Sequence, residues 1–163
     1  MTSAVLDEAV KKAALAWVSV GDGPALGVWC MPLDGSLIVV SGPGEQHAPG
    51  LAEASAATVR LRGDNGGLIV VAEMAVTRLT PGGEEWNEIA PQLAQKRLNA
   101  SGTFDELAAR WAADGCAIVR LTPSEQDTTA PDLPSGSGAA VPRETPARVE
   151  TRRPFKLHRV RKS

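Results

Sequence analysis

The sequence contains no tyrosine, and histidine and cysteine occur only twice each. A two-cysteine metal site would need His47 and His158 as partners, and neither is placed at ligand spacing from Cys30 or Cys116. The same shortage leaves no assignable Ser-His-Asp triad, and no Gly-x-Ser-x-Gly elbow is present to carry a nucleophile. Walker-type loops and Rossmann glycine patterns are missing too, since Gly42-Pro43-Gly44 is not a dinucleotide fingerprint. No run approaches the roughly 18 to 20 apolar residues that a membrane helix needs. Asp7, Glu8, Lys11 and Lys12 interrupt the N-terminal apolar pattern, unlike the unbroken core of a signal peptide. Cys30 and Cys116 lie far apart, each within an apolar strand-like run, and read as reduced, buried thiols of a cytoplasmic protein.

What is present fits one globular domain. The chain has 163 residues, 43% of them hydrophobic and 22% charged, enough to bury a single core. Aromatic residues make up only 4%, so four tryptophans supply most of the large aromatic surface. Charge is unevenly spread. Residues 1–122 hold nine Lys/Arg against fourteen Asp/Glu, giving −5, whereas residues 123–163 hold eight against five, giving +3.

Helical spacing of Leu6, Ala9, Val10, Ala13 and Ala14 predicts a first helix, capped by Thr2 or Ser3 and running to about Leu15. Strands are expected at Ala16–Val20, Ala25–Met31 and Leu37–Ser41, with Leu33-Asp34-Gly35-Ser36 as a hairpin turn. A glycine- and proline-rich loop follows over 42–50, and Leu51–Ser55 could form one helical turn. Ala57, Val59 and Leu61 alternate with Thr58, Arg60 and Arg62, the pattern of a half-buried strand. Gly63-Asp64-Asn65-Gly66-Gly67 turns the chain into a long strand from Leu68 to Leu79, whose length suggests a bend or bulge near Glu73. Trp86, Ile89, Leu93 and Leu98 mark a helix with Pro91 inside it. Thr103 and Glu106 form a capping box for another, and Leu107, Ala108 and Trp111 make its apolar face. Cys116–Leu121 reads as the last strand. Beyond Pro123, Pro, Gly, Ser, Thr and charge dominate, so residues 1–123 are expected to form the domain and 124–163 a flexible tail. Consecutive strands in hairpin succession imply a mainly β (α+β) fold, an antiparallel sheet closing on itself into a barrel with peripheral helices.

The hairpin around Leu33-Asp34-Gly35-Ser36, the Ser41–Leu51 loop and the entry Pro81-Gly82-Gly83-Glu84-Glu85-Trp86 resemble the pyridoxamine 5′-phosphate oxidase-like, FMN-binding split barrels. The resemblance runs from the first helix to about Pro123. It implies a homodimer that binds a flavin or another small anionic ligand between subunits. FMN, a deazaflavin such as F420, or haem would suit the wider fold, as would no cofactor at all, and the implied activity is that of an oxidoreductase. Members typically carry an Arg and a Lys on the hairpin's first strand, where this chain has Leu26 and Met31. An Arg-Lys pair of the loop is matched here by Gln46 and His47. The resemblance places the loop with Ser41, Gln46 and His47 at the cofactor's phosphate or ring edge; in place of the absent cations this sequence offers Gly42 and Gly44 as a backbone anion nest, with Arg60 or Arg62 nearby, and these seven are the candidate cofactor-binding residues.

Each candidate also has a plainer reading. Gln46 and His47 either hydrogen-bond a ligand or sit in an exposed loop without a role. Arg60 and Arg62 either grip an anion together or are solvated on an outer barrel face. Trp29 lies among apolar neighbours and reads as core or dimer-interface packing, as do Trp86 and Trp111 at helical spacing. Arg152, Arg153, Lys156, Arg159, Arg161 and Lys162, interleaved with Phe155, Leu157 and Val160, form a basic cluster. It could contact nucleic-acid phosphate or an acidic protein, or be a solvated end. An interaction module that binds a partner through this tail, with no cofactor, is therefore the competing expectation.

Overall fold

The computed structural model describes residues 4–62 and 69–124. The expected cap at Thr2 or Ser3, the turn at Gly63–Gly67 and the basic tail lie outside the described residues. The elements are α1 (Ala4–Lys12), β1 (Leu15–Ser19), β2 (Leu26–Trp29), β3 (Met31–Leu33), β4 (Ser36–Ser41), β5 (Ala56–Arg62), β6 (Ile69–Arg78), α2 (Glu84–Lys96), α3 (Phe104–Ala113) and β7 (Ala117–Pro123).

The seven strands form one antiparallel sheet in the order β2-β1-β5-β6-β7-β4-β3. Its two end strands, β2 and β3, are consecutive in the chain and separated only by Cys30. One apolar run thus pairs with β1 through its first half and with β4 through its second, which nearly closes the sheet into a barrel. The fold class expected from the sequence is borne out, with three helices around the sheet.

Several details differ from expectation. The single strand expected over Ala25–Met31 is two, because each half has a different neighbour. No bulge occurs near Glu73: the β5–β6 register runs without a slip from Ala56↔Ala75 to Arg62↔Ile69. The length of β6 goes instead into two staggered partners: β7 pairs Met74 to Arg78, and Val76 to Arg78 of these lie beyond the β5 pairing, which ends at Ala75. The segment at Leu51 is a turn rather than a helix, and α1 stops at Lys12, so that Leu15 joins the sheet. Pro91 does not interrupt α2.

Two apolar cores follow from strand alternation. Leu37, Val39, Val59, Leu61, Met74 and Leu121 point into the barrel, where α1 inserts Leu6, Ala9 and Val10. Ile38, Val40 and Ile118, on the opposite faces of β4 and β7, meet Trp86, Ile89, Leu93, Leu107 and Trp111 of α2 and α3. Strand β4 is consequently buried along its whole length. Trp86 and Trp111 are packing residues, as their helical spacing implies.

Helix α3 begins with the expected capping box: Thr103 Oγ1 accepts from the Glu106 backbone N–H, and the Glu106 carboxylate accepts from the Thr103 N–H at 2.8 Å. Thr103→Ala should lower the unfolding free energy by about 1 kcal/mol, read as a shifted denaturation midpoint with unchanged slope.

The helices cover only one side of the barrel. Among the described residues no helix packs over the outward positions of β1, β5 and β6, and Leu15 there is 46% exposed. Among the described residues no helix is long and apolar enough to cross a membrane.

Candidate functional site

The loop after β4 reaches the place where the barrel closes. Gln46 spends its whole carboxamide there. Its Oε1 accepts from the Trp29 N–H at 2.7 Å, and its Nε2 donates to Trp29 O at 2.8 Å and Val40 O at 2.9 Å. Trp29 ends β2, and Val40 lies on β4 beyond its pairing with β3. The side chain therefore takes the place of ladder bonds where the two strands part. Gly42 anchors the same loop. Its φ is +137°, and a Cβ built on it would lie 2.9 Å from Cys116 Cα, so only glycine fits. Gly42 N–H donates to Gln46 O at 3.2 Å, which closes the loop on itself.

Next to Gln46 the loop drives a carboxylate into the protein. The Glu45 side chain is 3% exposed and receives Arg97 Nε at 2.8 Å and Trp111 Nε1 at 3.0 Å; Arg110 Nη2 lies 3.6 Å away. Arg97 caps the C-terminus of α2 and Arg110 belongs to the last turn of α3, so one carboxylate ties the loop to both helices. A cleft of about 270 Å³ opens beside this cluster, lined by Trp29, Glu45, Gln46, Arg97, Leu98 and Asn99. Trp29 stands where helix cover ends: outward on β2, half-buried, and packed against the second core.

The expected site residues divide into two groups. Ser41, Gly42, Gly44, Gln46 and His47 follow one another at the end of β4. Ser41 is buried, Gly44 has φ +75° over open space, and His47 is exposed. Arg60 and Arg62 lie on β5, at least three strands away from β4 in either direction round the sheet. Arg60 is half-buried and donates to Ser19 Oγ at 3.1 Å, and Arg62 is exposed. Neither arginine joins the loop group through a hydrogen bond or ion pair. Across the uncovered face, Arg60 pairs in register with Trp17, which pairs with Gly27. A Cβ at Gly27 would sit 3.7 Å from Trp17 Nε1, so the indole lies over a strand position left free of a side chain.

Leu26 and Met31 are apolar in setting as well as in type. Leu26 lines an apolar pocket of about 90 Å³ with Val18, Val20, Pro24, Ala48 and Leu51, and Met31 is buried in the second core. Both cysteines are free and buried, as expected. Burial pushes the Cys30 thiol up to about 12. Burial, and then the Glu45 and Asp114 carboxylates, raise that of Cys116 against the opposing pull of Arg110. Neither is a thiolate nucleophile at neutral pH. Among the described residues no three His, Cys, Asp or Glu groups gather to hold a metal.

A FAD-binding protein from Mesorhizobium loti superposes with a TM-score of 0.50 at 15% identity, over 76% of this chain and 91% of its own. The chain has the split-barrel fold. Two further structures match less closely. A Listeria innocua protein named as a pyridoxamine 5′-phosphate oxidase gives a TM-score of 0.47 at 14% identity, covering 72% of this chain and 88% of its own. PhzG from Burkholderia lata, in complex with tetrahydrophenazine-1-carboxylic acid, gives 0.39 at 15%, covering 68% and 66%. No family model matches the sequence, and no curated protein matches it. The resemblance to the flavin-binding split barrels therefore holds as a likeness of fold.

Sequence reasoning missed Trp17, Glu45 and Arg97. Only Trp17 carried a readable signal, as an indole opposite a glycine on a neighbouring strand. The Trp17 indole beside Gly27 is a flat aromatic surface on the sheet. A phosphate is not matched at Leu26 and Met31, which are apolar and packed, or at Gln46, whose amide is committed to the backbone.

Proposed function

We propose that this chain is a split-barrel protein that binds a flavin-type cofactor, FMN or F420, and does so as a homodimer. The observation that carries the reading is the uncovered face of β1, β2 and β5, where Trp17 lies over Gly27 beside Arg60 and the exposed Leu15. A sheet face without helix cover that carries Leu15 and the Trp17 indole among polar side chains is a surface a second copy would bury, and a ring held between copies would lie on it. Arg60 and Arg62 are the cations within reach of that face, and His47 is a free hydrogen-bonding group in the loop. Ser41, Gly42, Gly44 and Gln46 shape the loop. When bound, the flavin supplies the redox centre, and the protein's part is to hold the ring and exclude water. An oxidoreductase in this sense needs no acid–base constellation of its own.

The packed, uncharged Leu26 and Met31 favour one other reading, a split barrel without a cofactor that uses the same face for a partner. Titration separates the two. Visible absorbance of the purified chain, followed by FMN, F420 and riboflavin titrations, should show binding by quenched tryptophan emission. FMN and riboflavin should agree within about threefold, because the phosphate gains few charge-assisted bonds. Sedimentation equilibrium should report a dimer. No binding at high micromolar flavin would remove the cofactor and leave the interaction module.

A further inference from the structure

The Glu45 cluster is not balanced in charge. Among the described residues, two guanidinium groups, Arg97 and Arg110, pair with one buried carboxylate, so these ion pairs alone leave one positive unit over. Arg97 lines the cleft and Arg110 does not. The Arg97 side chain is 31% exposed, and its guanidinium is held on two sides, by Glu45 through Nε and by the Leu98 carbonyl through Nη1. Its plane is therefore fixed before any ligand arrives, and fixed forks are what planar anions bind most tightly. Gln46 has no amide hydrogen left for a ligand, so Arg97 and Asn99 provide the uncommitted polar surface. Glu45 also lines the cleft, its carboxylate already taken by Arg97 and Trp111, and the apolar lining is the Trp29 indole and Leu98, which is 74% exposed and the most exposed of the large apolar side chains described. Asn99 holds φ +60°, a left-handed conformation that turns the chain back at the rim.

We infer that this cleft binds a small monocarboxylate with a flat apolar body, the ring between Trp29 and Leu98 and the carboxylate on the exposed edge of Arg97. A single negative charge matches the single excess positive one, whereas a phosphate dianion would bring a charge without a partner. At about 270 Å³ the cleft lies just below the range of drug-sized pockets, which suits a one-ring ligand. The site is independent of the flavin reading, because it uses neither Trp17 nor Arg60.

The test is a nitrogen-15 NMR titration of the full chain with sodium benzoate, at ionic strength held constant with chloride. Saturable shifts of the Arg97 Nε–H and Trp29 indole N–H signals are expected, with a Kd on the order of 1 mM. Benzamide, which keeps the ring and loses the charge, should bind at least about tenfold more weakly. Leu98→Asp places a carboxylate at the exposed rim and should weaken benzoate by about tenfold or more, with thermal unfolding unchanged. Leu98→Asn removes the apolar wall without adding a charge, so it should weaken benzoate too, but by less than Leu98→Asp. Benzamide binding as well as benzoate would overturn the site, and so would a Leu98→Asp protein that binds normally. Inorganic phosphate binding more tightly than benzoate would overturn the carboxylate assignment. Shifts that fail to saturate, or that centre on the Trp17 indole, would overturn the location.

Discussion

Glu45→Ala is expected to lower the unfolding free energy by about 3 kcal/mol, the largest effect of any single change outside the two apolar cores. Three donors converge on a side chain that is 3% exposed, and each loses something different. The Trp111 indole N–H belongs to a fully buried residue and has no water to replace the acceptor, at about 1 to 3 kcal/mol. Arg97 and Arg110 are 31% and 42% exposed, so water recovers much of their loss, and two neighbouring like charges are left facing each other. Glu45→Gln keeps an acceptor for Trp111 and removes only the charge, so it should lose roughly half as much. Equal losses in the two variants would mean that the ion pairs, and not the indole bond, hold the loop. A thermal midpoint lowered on the order of 10 °C for Glu45→Ala is the readout.

The residues most legible in the sequence were those whose partners lie close by. Asp34-Gly35 announced its turn because two successive positive φ values, 47° and 73°, are what a two-residue hairpin needs. Thr103 and Glu106 announced a helix start because the capping box closes over three residues. The alternation in β5 showed which side chains enter the barrel, and the structure keeps Ala57, Val59 and Leu61 inside. The break at Cys30 was not legible. Both halves of the run are apolar, and what divides them is the identity of the neighbouring strand, which no local pattern records. The continuous register through Glu73 was hidden for the same reason, since the extra length of β6 is explained only by a partner over forty residues onward.

The site was legible in outline and misjudged in its parts. Loop composition marked the segment after β4 as irregular, and positive φ at 42 and 44 is the backbone reason for its glycines. Glu45 was passed over because a glutamate among glycines and prolines reads as a solvated loop residue. Its partners lie 52 and 66 residues along the chain, on two helices that the loop does not contact in sequence. Arg97 looked like the ordinary basic end of a helix. Arg60 and the loop were grouped through their expected shared ligand, and the sheet order holds them on different strands.

Gln46→Ala gives the second large effect, and it separates a structural loop residue from a ligand contact. Three backbone groups lose their partner at once: Trp29 N–H, Trp29 O and Val40 O, all partly buried. At about 0.5 to 1.5 kcal/mol for each bond, the expected loss is about 2 to 3 kcal/mol after partial rehydration. The loss should be local as well as global, because these bonds hold the point where β2 leaves β4's neighbourhood. Amide exchange at Trp29 should therefore accelerate more than at Val39 or Val119, which lie deep in paired strands. His47→Ala removes an exposed side chain next door and should leave stability within about 0.5 kcal/mol. Flavin affinity measured on both variants then has a clear meaning. A weakened His47→Ala protein with unchanged stability puts that histidine in the ligand site. A weakened Gln46→Ala protein has lost the seam that holds the end of β2, and with it Gly27 under the Trp17 indole. If Gln46→Ala keeps both its stability and its slow Trp29 exchange, the carboxamide does not hold the barrel closed, and the three short contacts carry no weight in the fold.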